Sequence, residues 1–321
     1  MTEIEAANGR EQSCCRLYFF AACSLYTGTM SILTIKAPAK INLHLRVKDL
    51  RPDGFHGIES IFTALDFGDI LHFEPYGPEG TLNIKIHPDS SVFEAGQDPQ
   101  QALPASENII FRAVSLFRER SGFNTGLNIY LEKHIPLAGG LGGGSSDAAS
   151  TLLALNALAA KALFCGHAPL ADSALEELGA ALGSDVPFFL KKYGAAWVSG
   201  RGELIQALSI PENLWIVLVK PGFSSNTREA YLLLDQYRKT AKTVPDTFTN
   251  DFLPVFLQDE RVNTTYREIL EDLKACGAEF SSLSGAGSTC FGVFADRDNA
   301  HRAYKTLLPK WSFVKVTVPL G

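Results

Sequence analysis

The segment Ile135-Pro136-Leu137-Ala138-Gly139-Gly140-Leu141-Gly142-Gly143-Gly144-Ser145-Ser146-Asp147-Ala148-Ala149 has glycine at five of the six positions from Gly139 to Gly144. Glycine permits positive φ and removes Cβ bulk, so successive backbone N–H groups can converge on one anion. An Ala- and Leu-rich helix follows at once, and its free N–H groups and dipole end favour the same anion. Ser145 and Ser146 add hydroxyls at the cap. This is the construction of a phosphate cradle, and a flexible linker would not run straight into such a helix. A Walker A loop is excluded because the chain contains no Gly-Lys pair. The segment also fails G-x-G-x-x-G in every register, which disfavours a Rossmann dinucleotide site.

Phosphate binding becomes chemistry only if other groups reach the bound ligand. Ile41 to Lys48 alternates apolar and polar strictly, a half-buried strand. The alternation predicts Lys40, Asn42 and His44 on one face, opposite Ile41, Leu43 and Leu45. Asp185 lies in Gly183-Ser184-Asp185-Val186-Pro187-Phe188-Phe189, where a turn enters an apolar run. A helix cap and a catalytic carboxylate both fit that position. The small-residue cluster Ser281-Ser282-Leu283-Ser284-Gly285-Ala286-Gly287-Ser288-Thr289 allows close backbone approach and suggests a second wall of one site. Asp66-Phe67-Gly68 spells a protein-kinase tripeptide, but no His-Arg-Asp loop accompanies it.

The elements that must position these groups alternate between strand and helix. Strands are expected at 69–75, 81–86, 126–133, 214–220, 289–295 and 312–318. A helix is expected from a Ser106 cap to Arg120, with Gly122 just past its end. Others are expected at 146–163, from Asp172, and at 227–239, 261–276 and 300–308. Residues 240–260, with Pro245 and Pro254, read as loop or short irregular helices. The rhythm is not the regular βαβα of a doubly wound sheet, so the fold class is α+β.

With 321 residues, 46% hydrophobic and 20% charged, the chain can bury a substantial core in two domains. A net charge of −6 argues against a nucleic-acid partner. No apolar run approaches the roughly 20 residues of a membrane span, so no membrane role is expected. Of six cysteines, Cys14, Cys15 and Cys23 precede the body, and Cys165, Cys276 and Cys290 show no C-x-x-C spacing. That fits neither a disulfide framework nor a zinc site, and it points to a reducing, cytoplasmic setting. Residues 1–29 read as a disordered or loosely attached extension, with Met30 an equally plausible start. Deleting them is expected to leave catalysis intact.

The chain resembles the GHMP kinases, and among them the branch acting on a cytidine-diphosphate-linked methylerythritol. Three stretches carry the resemblance: Ala37-Pro38-Ala39-Lys40-Ile41-Asn42-Leu43 with Arg51-Pro52-Asp53-Gly54-Phe55-His56, the Pro136–Ala149 loop, and Leu283–Phe291. Gly183–Pro187 and Lys220–Thr227 support it, and it runs from about Ser31 to the C-terminus. It implies a two-domain fold, ribosomal protein S5 domain 2-like over 30–196 and ferredoxin-like over 197–321. It further implies transfer of the γ-phosphoryl of ATP, with Mg²⁺, to the 2-hydroxyl of CDP-methylerythritol in the non-mevalonate isoprenoid pathway. Lys40 and Asp185 would be catalytic. ATP would be held by Asn108, Pro136, Gly139, Gly140, Gly142, Gly143, Gly144, Ser145 and Ser146. The acceptor would be held by Asn42, Phe55, His56, Thr227 and Tyr231, with Phe55 stacking on cytosine where tyrosine is common. Mg²⁺ would be held mostly by phosphates and water, with no protein ligand assigned. The only partner expected is the small-molecule substrate, with the chain a monomer or weak homodimer. The runner-up is another small-alcohol kinase of this superfamily, for homoserine or mevalonate. Phe55, His56 and Tyr231 disfavour it, because those substrates offer no base to stack.

Overall fold

The computed structural model describes residues 32–87, 90–92, 108–160, 168–211, 213–240 and 250–321. The extension 1–29, Met30, Ser106 and Cys165 lie outside these residues, as does 241–249.

Two long strands form the spine of the first sheet. β1 (Leu33–Leu50) pairs antiparallel with β2 (His56–Pro75) along its whole length. The other edge of β2 is shared end to end by β4 (Leu127–Glu132), on 70–75, and β5 (Ala195–Gly200), on 58–63. β3 (Leu82–Ile86) extends the sheet beyond β4, and β6 (Leu204–Leu208) extends it beyond β5. The expected division at 196/197 therefore falls inside β5, and the first sheet continues to Leu208.

The alternation in β1 is broken by bulges. Asn42 pairs with Phe62, but His44 pairs with Ile61, so Leu43 is an extra residue. The insertion turns His44 to the face opposite Lys40 and Asn42, where its ring lies 6.2 Å from that of Trp197. Only Lys40 and Asn42 keep the shared face expected of all three.

α1 (Ile109–Ser121) is capped by Asn108, whose Oδ1 accepts from Ile110 N at 3.0 Å, and it ends at left-handed Gly122. The cap is thus Asn108 and not Ser106. α2 (Gly143–Ala159) starts three residues earlier than expected, within the glycine run, so Ser145 and Ser146 lie in its first turn rather than at the cap. It is apolar nearly all round and buried accordingly, with Leu152, Leu155 and Leu158 sealed against the sheet and neighbouring helices. Each such leucine contributes about 1.5–3 kcal/mol relative to exposure. α3 (Asp172–Leu182) and α4 (Val186–Lys191) complete this layer.

The second sheet has the order β10-β7-β9-β8, all antiparallel: β7 (Trp215–Lys220), β8 (Phe280–Leu283), β9 (Cys290–Phe294) and β10 (Phe313–Thr317). α5 (Thr227–Thr240), α6 (Phe252–Phe256) and α7 (Asn263–Ala275) separate β7 from β8, and α8 (Arg297–Leu307) separates β9 from β10. Ile216 and Leu218 of β7 and Phe291 of β9 pack with Ala39 and Ile41 of β1 and Leu65 of β2, joining the two sheets. Past β10 the chain crosses back, with Leu320 N donating to the Ala64 carbonyl at 2.9 Å. Among the described residues no helix is long and apolar enough to cross a membrane.

Candidate active site

The glycine loop lies where the two sheets meet. Lys40 N donates to the Leu141 carbonyl at 2.9 Å, which lays the loop on β1. Gly142 has φ +71°, and a Cβ there would come within 3.0 Å of Lys40 Cγ and 3.1 Å of Phe189 Cζ. Gly140 has φ +76°, and a Cβ there would overlap the Ser284 carbonyl oxygen. Left-handed backbone and close approach together require glycine at both positions. The 281–289 cluster is the facing wall: Ser284 Oγ donates to the Gly140 carbonyl at 2.9 Å, and Thr289 N donates to the Gly139 carbonyl at 3.1 Å.

The loop borders a cavity of about 380 Å³ lined by residues 136–145 with Asn108, Ile109, Lys133 and Asp147. Three buried polar atoms in or next to this wall have no hydrogen-bond partner among the described residues: Asn108 Nδ2, Ser146 Oγ and Asp147 Oδ1. Buried polar atoms are rarely left unpaired without a reason such as a ligand. The glycine cradle, the start of α2 and these atoms fit a magnesium-bound polyphosphate nucleotide.

Sequence reasoning missed the ion cluster behind this wall. Lys133 Nζ donates to Asp69 Oδ2 and, at 2.9 Å, to Asp147 Oδ2, with all three side chains buried. Asp69 Oδ1 also accepts from His134 N at 2.6 Å and Ile135 N at 2.8 Å, so it anchors the entry to the glycine loop. Burial and the neighbouring Asp69 push the Asp147 carboxyl well above its ordinary range, against the pull of Lys133. The signal available in sequence was Asp69 standing in an apolar strand.

A buried lysine and an aspartate are brought together from distant elements. Lys40 Nζ donates to Asn42 Oδ1 at 2.7 Å and lies 3.4 Å from Asp185 Oδ2. Asn42 Nδ2 donates to Ser60 Oγ at 2.9 Å, which fixes its amide so that the oxygen faces Lys40. Lys40 Nζ also sits 4.7 Å from the centre of the Phe62 ring. Asp185 occupies the N-cap position of α4 but makes no side-chain cap hydrogen bond. Its carboxylate turns instead toward Lys40.

The expected acceptor residues are only partly gathered. The ring of His56 stacks on Tyr231, with centroids 4.9 Å apart at 25°. Tyr231 in turn meets Phe252 edge-on at 5.0 Å. Burial, then the charge of Asp185, pushes the Tyr231 hydroxyl up to about 12. Thr227 is exposed at the first residue of α5, one turn before Tyr231. Phe55 is 53% exposed, and the Arg201 guanidinium lies 5.0 Å from its ring centre. His56 Nε2 is already engaged by Asp235 Oδ1 at 3.0 Å, so only Nδ1 remains to meet a base edge. Arg201 and Asp235 were not foreseen. Among the described residues no group of three or more His, Cys, Asp or Glu is placed to hold a metal ion.

The GHMP kinases N terminal domain matches residues 108–192, and the GHMP kinases C terminal domain matches 248–311. A 4-diphosphocytidyl-2-C-methyl-D-erythritol kinase of Syntrophus aciditrophicus is 37% identical over 290 residues, covering 87% of this chain and 95% of the relative. A crystal structure of 4-(cytidine 5'-diphospho)-2C-methyl-D-erythritol kinase superposes with a TM-score of 0.71 at 30% identity, covering 90% of this chain and all of that one. A homoserine kinase from Cytophaga hutchinsonii shares the fold more distantly, with a TM-score of 0.60 at 17% identity over 92% of this chain and 98% of that one.

Proposed function

The chain belongs to the GHMP kinases and, among them, to the 4-diphosphocytidyl-2-C-methyl-D-erythritol kinases, and from that premise we propose how its own residues phosphorylate the 2-hydroxyl of 4-(cytidine 5'-diphospho)-2-C-methyl-D-erythritol. The observation that carries the reading is the Lys40–Asp185 pair standing where the glycine loop rests on β1.

ATP lies in the cavity beside Asn108 and Pro136. Gly139, Gly140, Gly142, Gly143 and Gly144 bring backbone to its phosphates, and Ser145 and Ser146 add hydroxyls in the first turn of α2. Magnesium bound with the nucleotide would supply neutralisation of the phosphate oxygens, and the Ser146 hydroxyl, which has no hydrogen-bond partner among the described residues, is the side chain that would help hold it. Asp185 accepts the proton of the acceptor hydroxyl as that oxygen bonds to the γ-phosphorus, and the bond from γ-phosphorus to the β-bridging oxygen breaks to release ADP. Lys40 orients the carboxylate and faces the charge developing on the transferred group, while Asn42 and Ser60 hold the ammonium in place.

On the acceptor side, Phe55 and Tyr231 offer ring faces to cytosine, His56 its free ring nitrogen, and Thr227 a hydroxyl at the head of α5. The reading places the enzyme in the cytoplasm, as a monomer or weak homodimer, in the non-mevalonate route to isoprenoid precursors. Homoserine and mevalonate kinases are the more distant relatives, and neither substrate would use the aromatic wall.

The test is ADP release by the purified protein with magnesium ATP and the cytidylyl acceptor, with homoserine and mevalonate as controls. Turnover of the cytidylyl acceptor alone, inhibited by CDP, is expected. Turnover of either control in its place would overturn the reading.

A further inference from the structure

Thr227, Tyr231 and Asp235 follow one another at four-residue spacing on α5 and so share one helix face. That face meets His56, the first residue of β2. Tyr231 stacks on the imidazole and Asp235 engages Nε2, so the ring is held in both orientation and plane. A carboxylate can only accept a hydrogen bond, so Nε2 carries a hydrogen, and in the neutral ring it is the only one. An imidazole with its single hydrogen on Nε2 presents a bare lone pair at Nδ1. No described residue hydrogen-bonds that atom. His56 is therefore set to accept from a ligand and not to donate.

The exocyclic position 4 distinguishes the two pyrimidines: cytosine carries an amine there and uracil a carbonyl. An acceptor placed against it pairs with the first and opposes lone pair to lone pair with the second. The His56 side chain is 9% exposed, so water gives little relief to a mismatched pair. We infer that Asp235 is a positioning residue that sets the pyrimidine preference of the acceptor site by fixing the His56 tautomer. The inference rests on the cytidine-linked acceptor proposed above.

The test compares cytidine- and uridine-diphosphate-linked methylerythritol as acceptors for the wild type and for Asp235→Asn. An asparagine amide can turn either its oxygen or its NH₂ toward Nε2, which frees the hydrogen to move to Nδ1. The ratio of kcat/KM values, cytidine over uridine, should fall by about tenfold or more in Asp235→Asn, through KM, with kcat on the cytidine acceptor kept. Asp235→Leu should weaken the cytidine acceptor without improving the uridine one. The tautomer itself is read without substrate, by nitrogen NMR of protein labelled at histidine, with His56 assigned by its loss in His56→Gln. A protonated Nε2 and bare Nδ1 are expected in the wild type, and a mixture in Asp235→Asn. A protonated Nδ1 in the wild type, or unchanged discrimination in Asp235→Asn, overturns the inference. Failure of the wild type to phosphorylate the cytidine acceptor would instead strike the parent reading, since the NMR signature stands apart from turnover.

Discussion

Lys40 and Asp185 face each other at 3.4 Å with unequal access to solvent: the lysine side chain is 5% exposed and the aspartate 28%. The ammonium is sealed between Asn42 and the Phe62 ring, and the carboxylate is the member an incoming hydroxyl can reach. This asymmetry supports the proposed roles, with Asp185 as the proton acceptor and Lys40 as the group that aligns it.

Asp185→Asn keeps the size of the side chain and removes its capacity to take a proton. It should lower kcat by about 10²–10⁴-fold. Binding of a non-hydrolysable ATP analogue, measured by calorimetry, should be unchanged. Turnover close to that of the wild type would remove the base assignment.

Gly140→Ala should damage the cradle. The left-handed backbone alone costs about 1–2 kcal/mol with a Cβ present, and the methyl also strikes the Ser284 carbonyl. Melting temperature and nucleotide affinity should both drop. Gly144 is the control, since its Cβ would meet only Ile109 Cγ2 at 3.8 Å. Gly144→Ala should melt no lower than the wild type, because alanine favours the first turn of α2.

Phe55→Ala removes a ring that is already half in solvent, so thermal stability should barely change. If cytosine stacks there, KM for the cytidylyl acceptor should rise by about tenfold, in keeping with about 1–3 kcal/mol per stacked base. KM for ATP should stay as it was. Equal changes in both would count against stacking.

Glu132 supplies a pH test of stability. Burial raises its carboxyl, but the hydrogen bond and charge of His72, with help from His134, outweigh burial and hold it below its ordinary 4.5. A depressed carboxyl stabilises the fold fully above its unfolded value and loses that contribution as pH falls through the folded one. Glu132→Gln should therefore cost about 1 kcal/mol at pH 7. The gap in melting temperature between variant and wild type should close as pH is taken below about 4. A gap independent of pH would show that the loss is one of packing alone.

What could be read from sequence was what depends on near neighbours. The glycine run declares itself because close approach to an anion demands small residues in succession. Lys40 and Asn42 share a face because they sit two apart on a strand. His44 was misplaced because one inserted residue, Leu43, reverses every later side chain, and alternation alone carries no mark of a bulge. Asp185 stayed ambiguous because a cap and a base need the same residue type at the same kind of turn. What separates them is Lys40, brought in from β1. The partners in the Asp69–Lys133–Asp147 cluster and in the His56–Asp235 contact could not be matched for the same reason, since they meet only through tertiary pairing, although Asp69 in an apolar strand was itself a signal.

Gly140 receives its hydrogen bond from Ser284, 144 positions later in the chain. During synthesis, then, the ribosome must complete nearly the entire polypeptide before that support exists. A nascent chain halted after β6 would contain every glycine of the loop and yet lack the wall that braces it.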